Sequence, residues 1–398
     1  MRLTLVTSSL SCGGAERAVA LLAKGFFNKG YQVDVVTIDD TYLDFYKLPD
    51  GVNRVALNIA KNSPTFIHGI WNNLYRLWVL RRTIKSLHPD VVISFLDQIN
   101  ILTLLALVKT NYPVLVSEQN DPRKSSSGKV WDRLRHITYS FADKVVSVGN
   151  GVNQYFDWLP QTKRAVIYNP LASINTIPSM DKFLETKGAD LSKKWIVAIG
   201  RLTHQKGFDI LLSAFKKHAG HHPDWQLIIL GEGELRPELE NLRDQLGLTD
   251  NVIFPGVVRN PFSVLKRSEL FVLSSRFEGL PGVLVEALAC GLPVVSTDCP
   301  SGPREVIRDG VNGILVPSEN GLALATAMDR LISNQEERKR LASYAPKITE
   351  KFGLATIIER WETLFSDVIS QQSAVTSHQS PVTSQLYESL TADVTGIN

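Results

Sequence analysis

Short apolar runs alternate with longer amphipathic stretches along almost the whole chain, and few folds tolerate that rhythm. In the first half the strand-like runs are residues 3–7, 33–38, 91–95, 114–117, 145–148 and 165–167, with helix-like stretches between most of them, as at 15–28 and 71–87. Such alternation predicts a parallel sheet joined by crossover helices. The pattern lapses over residues 171–192, where Pro170, Pro178 and Gly188 stand among polar residues, and this stretch reads as a linker. It then restarts, with runs at 195–199, 225–230, 252–254, 270–273, 294–296 and 314–316. The expected architecture is therefore α/β, with domains over 1–170 and 193–352 facing each other across a cleft. In such sheets ligands bind beyond the carboxyl ends of the strands. Residues 371–398 are rich in Ser, Thr and Gln and read as a disordered tail.

Composition narrows the setting. No stretch approaches the roughly 20 apolar residues that a membrane span needs. The start, MRLTLVTSSL, does not read as a cleaved signal peptide. Cys12, Cys290 and Cys299 match no metal or redox spacing, which fits a reducing cytoplasm. Residues 1–170 carry 20 Lys+Arg against 13 Asp+Glu, a balance of +7, whereas the rest carries 23 against 27, or −4. A basic front half suits an anionic partner such as phosphate or a membrane surface, although chance unevenness would look the same.

Three segments carry chemistry. Gly13 and Gly14 in Ser11-Cys12-Gly13-Gly14-Ala15-Glu16 follow the first strand and open the first helix, where backbone can approach an anion. The spacing is not the dinucleotide fingerprint G-x-G-x-x-G, so a Rossmann cofactor is not expected. Next, Arg201 and Lys206 in Gly200-Arg201-Leu202-Thr203-His204-Gln205-Lys206-Gly207 offer a planar fork and a mobile point charge. Aimed into the cleft, they would offset charge growing on a departing nucleotide diphosphate; otherwise they are two solvated loop cations. Finally, Glu278 and Glu286 bracket the start of a helix begun by Pro281 and ended by Gly291. Glu286 lies among Leu284, Val285, Ala287, Leu288 and Ala289, so a carboxylate there needs a reason. Accepting hydrogen bonds from neighbouring sugar hydroxyls would supply one.

In this order the three segments resemble the retaining glycosyltransferases of family 4, over roughly residues 1–370. The resemblance implies two Rossmann-like domains in the GT-B arrangement, with a helix over 353–370 returning to the first domain. It also implies that Arg201 and Lys206 hold the donor diphosphate, Glu286 the ribose, and Glu278 the donor sugar. Gly13 and Gly14 would lie near phosphates and acceptor, and Gly231, Gly233 and Val258 would line the nucleotide. Asp97, Glu118 and Asn120, with the segment from Cys299 to Glu305, are similar to a subgroup that transfers N-acetylhexosamines to polyprenyl-diphosphate-linked glycans. Many relatives have a histidine where this chain has Gln119, so no catalytic acid or base is assigned there.

No Asp-x-Asp element is present, and neither a metal nor a cofactor is expected. His218, His221 and His222 read as a cluster at a helix end, because Gly220 and Pro223 stop the helix. The stretch 71–85 holds Arg76, Arg81, Arg82 and Lys85, no acid, and the rings of Trp71, Tyr75 and Trp78. It suits either a membrane interface and a lipid-linked acceptor, or an outer helix with Trp in the core and Arg in water. Similarity to the same transferases favours the acceptor role. The reading is a transferase moving a hexose or N-acetylhexosamine, with retention, from a UDP-linked donor to a lipid-linked or polysaccharide acceptor. It would act in cell-surface glycan synthesis at the cytoplasmic face of the membrane, with no nucleic-acid partner. The alternatives are an epimerase or phosphorylase on the same scaffold, or a nucleotide-sugar-binding subunit without catalysis.

Overall fold

A computed structural model of the chain describes residues 1–60, 66–125, 128–174 and 180–372. The proposed tail therefore lies, from residue 373 on, outside the described residues, as does the middle of the proposed linker. The first sheet contains β1 (Arg2–Thr7), β2 (Gln32–Thr37), β3 (Asn53–Ala56), β4 (Val91–Phe95), β5 (Val114–Glu118), β6 (Lys144–Ser147) and β7 (Arg164–Val166). The second contains β8 (Lys194–Ile199), β9 (Trp225–Leu230), β10 (Val252–Gly256), β11 (Leu270–Leu273), β12 (Val294–Asp298) and β13 (Ile314–Pro317). Every pairing is parallel, because a helix or a long loop separates successive strands.

The strand orders are β3-β2-β1-β4-β5-β6-β7 and β10-β9-β8-β11-β12-β13. Each sheet therefore reverses direction once, between β1 and β4 and between β8 and β11. At those two places neighbouring loops part and leave a crevice. Central strands are buried on both faces, which is why they read as continuous Val/Ile/Leu runs.

The two halves are joined by more than the linker. Helix 354–372 lays Ile358 and Phe365 against the first-domain helix Gly14–Asn28, with Phe26 and Phe365 ring centres 5.5 Å apart. Leu171 N–H donates to Phe352 O (2.8 Å), so the two crossing segments hold each other. Glu305 reaches from the second half to the first, accepting from the backbone N–H of Asn150 (2.8 Å) and Gly151 (2.9 Å).

Candidate active site

The loops after β8 and β11 are locked together at the crevice of the second sheet. Gly207 closes the His204–Lys206 turn in the left-handed region (φ 60°), and a Cβ there would stand 2.2 Å from Ser274 O. Ser274 Oγ donates to Lys206 O (2.9 Å), which anchors the lysine backbone to the end of β11. Lys206 Nζ then donates to Glu278 Oε1 at 2.6 Å, and Ser275 Oγ donates to the same oxygen at 2.7 Å. The backbone of Glu278 is pinned on both sides, its N–H donating to Pro300 O (2.7 Å) and its carbonyl accepting from Ser301 N–H (2.8 Å). A buried carboxylate is thus presented on a rigid loop with its cation supplied from a different strand end.

Arg201 shares the Lys206 loop and is exposed; its charge reaches Glu16 and Cys12 of the first domain and favours their ionised forms. Gly231 (φ 143°) lets the β9 loop cross the β8 loop, since a Cβ would lie 1.9 Å from Gly200 O. Gly233 similarly crowds Leu202 O. Both glycines are therefore required by loop packing, whatever they do for a ligand. Val258 is half-buried just past β10. Gly14 faces open space, and Gly13 carries the Glu16 carboxylate against its Cα.

Glu286 is the fifth residue of the helix Gly282–Ala289, which follows Pro281 and is ended by Gly291 at φ 78°. Sequence reasoning missed its partner. Arg17, one turn into the first-domain helix Gly14–Asn28, crosses the cleft and places Nη1 2.8 Å from Glu286 Oε1. The other oxygen, Oε2, is buried with no hydrogen-bond partner. Burial raises the carboxyl above its ordinary range and the Arg17 cation pulls it back down. The Arg17 guanidinium also lies 5.5 Å from the centre of the Phe262 ring. Beyond it opens a cavity of about 250 Å³ between the halves, whose lining includes Arg17, Lys24, Tyr46, Lys47, Arg259 and Phe262. The signal for Arg17 was present in sequence: a cation followed by Ala18, Val19 and Ala20 poses the same question as Glu286.

Asp97 and Glu118 belong to a cluster built around the buried Arg135. Glu118 is fully buried at the end of β5, where Tyr139 Oη donates to its Oε2 (2.7 Å) and Arg135 Nε stands 3.6 Å away. Arg135 is also paired with Asp97 (3.1 Å) and Asp132 (2.9 Å). Asn100 completes the cluster, donating to Tyr139 Oη and Ser117 O and accepting from Ser94 Oγ. Gln119 is also buried; its Nε2 donates to Ser117 Oγ and its Oε1 accepts from Asn169 (both 2.8 Å). Its carbonyl lies against Gly279, so the two domains meet beside the Lys206–Glu278 pair. Asn120 is exposed.

Burial pushes the Glu118 carboxyl up from 4.5 to about 7, with Arg135 opposing the shift. The folded chain thus binds this proton more tightly than the unfolded chain. The resulting stabilisation is complete below about pH 4 and is lost as pH rises through 7. Wild-type stability is therefore expected to fall by about 2–3 kcal/mol relative to Glu118→Gln between pH 5 and 8. Urea unfolding of both proteins across that range checks this, and parallel profiles would refute it.

The helix Phe66–Leu87 turns its aromatic rings outward, which overturns the reading that put Trp in the core. Leu80 and Ile84 are fully buried, whereas Trp71, Tyr75 and Trp78 are 70%, 56% and 56% exposed. Arg82 and Lys85 lie on that same outer face, and Arg82 stacks over Trp78 at 5.5 Å. The other two cations are drawn inward. Arg81 donates to the carbonyls of Ala106 (2.6 Å) and Val108 (3.1 Å), and Arg76 to Ile59 O (3.1 Å). His218, in the last turn of the helix Phe208–Ala219, and His222, just past it, both approach Asp329. No described helix is long and apolar enough to cross a membrane.

Comparison with known proteins agrees with this geometry. Residues 13–170 match the family described as glycosyl transferase 4-like domain, and residues 179–348 match glycosyl transferases group 1. An α-1,4-N-acetyl-D-galactosaminyltransferase of Campylobacter jejuni, named for its GalNAc-GalNAc-diNAcBac-PP-undecaprenol acceptor, is 28% identical over 92% of this chain and 99% of its own. The amylovoran biosynthesis glycosyltransferase AmsD of Erwinia amylovora is 24% identical over 92% and 99%. Among solved structures, Anabaena Alr3699/HepE with UDP and glucose superposes with a TM-score of 0.77 at 21% identity, covering 92% of this chain and all of that one. With the two family matches running in succession over two Rossmann-like halves, the chain belongs to the family 4, group 1 glycosyltransferases of GT-B fold.

Proposed function

We propose that the protein transfers a hexose or N-acetylhexosamine from a UDP-sugar to a lipid-diphosphate-linked glycan, with retention, at the cytoplasmic face of an anionic membrane. The observation that carries the reading is the pair of half-buried Lys206 and buried Glu278 at the crevice of the second sheet, with Glu286 on the next helix. Lys206 has three N–H donors; one holds Glu278 and the others can meet phosphate oxygens. Arg201, exposed on the same loop and facing Glu16 of the first domain, adds a second cation for the diphosphate. Together they would neutralise the leaving group as the sugar–phosphate bond breaks. Glu278, fixed between Pro300 and Ser301, would touch the sugar, and Glu286 Oε2 would accept from a ribose hydroxyl. Gly13, Gly14, Gly231, Gly233 and Val258 would border the nucleotide.

The acceptor part rests on the outward aromatic and basic face of Phe66–Leu87 and on the undecaprenol-linked substrate in the Campylobacter relative's name. On this reading residues 1–170 are the acceptor domain and 193–352 the donor domain. The 171–192 linker joins them, and the helix over 353–370 packs back on the first. Isothermal titration with UDP is expected to give the same affinity with and without EDTA, and Glu286→Ala to bind at least tenfold more weakly, the worth of one charged hydrogen bond. UDP release that requires a lipid-diphosphate acceptor, with the product confirmed by mass spectrometry, separates transfer from binding. UDP binding abolished by EDTA would overturn the account of the cations.

A further inference from the structure

We propose that Arg17 is a positioning residue of the donor site: reaching across the cleft, it holds one oxygen of Glu286 and aims the other at a hydroxyl of the bound nucleotide. Donor binding then depends on the closed arrangement of the two domains. The inference rests on the reading of Glu286 as the ribose contact, and adds to it a residue from the opposite domain.

Three observations converge. Glu286 Oε1 is taken by Arg17 Nη1 at 2.8 Å, and both side chains are largely buried. Glu286 Oε2 is buried and has no partner, so an acceptor has been desolvated without a donor. Native proteins rarely leave such an atom bare unless something arrives to meet it. Arg17 is itself located by the second domain, its guanidinium set against Phe262 at 5.5 Å. It is therefore placed by both of its second-domain neighbours. A lysine could keep the charge but not the fork of donors or the guanidinium contact with the Phe262 ring.

The arrangement also has an electrostatic consequence. The charged and titratable groups around Glu286 are Arg17 and Tyr46 from the first domain, and Cys290, with Lys266 beyond it, from the second. Of these Arg17 is the cation that favours the ionised carboxylate against the effect of burial. Without it Glu286 takes up a proton at a higher pH, and the carboxylate that a hydroxyl would bond is lost as pH falls.

Full-length wild type, Arg17→Lys, Arg17→Gln, Glu286→Gln and the double Gln variant are titrated with UDP from pH 5.5 to 8.5, after thermal unfolding has shown that each is folded. Arg17→Gln is expected to bind UDP about tenfold more weakly at pH 8, and progressively more weakly towards pH 5.5. Arg17→Lys should recover part of the affinity and a flatter profile. The double variant, which leaves no unpaired buried charge, should bind no worse than Glu286→Gln alone. Wild-type affinity and profile in Arg17→Gln, or losses that add in the double variant, would overturn the proposal. Unchanged binding by Glu286→Gln is a different failure, because it removes the ribose contact itself and the proposal with it.

Discussion

Lys206→Ala is expected to lower kcat by roughly 10²–10³-fold while changing UDP affinity by less than about tenfold. The asymmetry follows from when each charge matters. On the proposed reading the diphosphate is already solvated and shared with Arg201 before reaction, so one cation fewer weakens binding modestly. As the sugar–phosphate bond lengthens, charge concentrates on the leaving phosphate, and a cation fixed beside it acts only then. Lys206 is fixed in this sense: its carbonyl is held by Ser274 and its Nζ by Glu278 at 2.6 Å. Removing it also strips a buried carboxylate of its cation, which costs about 3–5 kcal/mol of stability in comparable cases. The Lys206→Ala/Glu278→Gln variant removes that complication, and its thermal unfolding should sit closer to wild type. Steady-state UDP release with acceptor gives kcat, and titration gives affinity. A Lys206→Ala kcat within threefold of wild type would remove the lysine from the chemistry.

What could be read from sequence, and what could not, divides along a physical line. Buried parallel strands announce themselves because both faces are apolar, and each of the twelve runs marked in the sequence became a strand to within a residue or two. The strand that escaped notice, β3, is Asn-Arg-Val-Ala at the sheet edge, half exposed and too short to show a pattern. The loop chemistry was legible for the same reason as the strands: cations, glutamates and glycines immediately after an apolar run stand out. Partnerships between distant segments were not. Glu286 looked unsupported because Arg17 lies in the other domain. Glu118 carried only a resemblance in the sequence, because Arg135 and Tyr139, which bury it, come from the helical stretch 129–141.

For the helix Phe66–Leu87 the sequence left two readings open. At 100° per residue, Leu77, Leu80 and Ile84 form one apolar stripe, and Trp71, Leu74, Tyr75 and Trp78 form another on the opposite side. Periodicity finds two candidate faces and cannot say which meets the core. Packing decided for the aliphatic stripe. That leaves a contiguous aromatic face with Arg82 and Lys85 in the same row, and a face of this size and chemistry calls for a partner.

On the proposed reading an anionic bilayer covers this face, and serine in place of Trp71, Tyr75 and Trp78 is expected to reduce binding to anionic vesicles by roughly 10³-fold. Aromatic side chains offer about 150–250 Å² each, and these three expose more than half of theirs. Immersing about 60 Å² of each ring gives roughly 1.5 kcal/mol apiece at about 25 cal/mol per Å². Arg82→Gln with Lys85→Gln should cost about tenfold or more at low salt, at about 1 kcal/mol per cation. That loss should shrink as salt screens the surface, whereas the aromatic loss should persist. Arg81 is excluded from the pair because it holds the carbonyls of Ala106 and Val108 and its loss would disturb the fold. UDP affinity should stay at the wild-type value in every variant, since this helix contributes none of the residues proposed to hold the donor. Vesicle co-sedimentation over a salt series measures the first effects and titration the last. If the triple serine variant sediments like wild type, the aromatic face serves some other contact and the membrane part of the function falls.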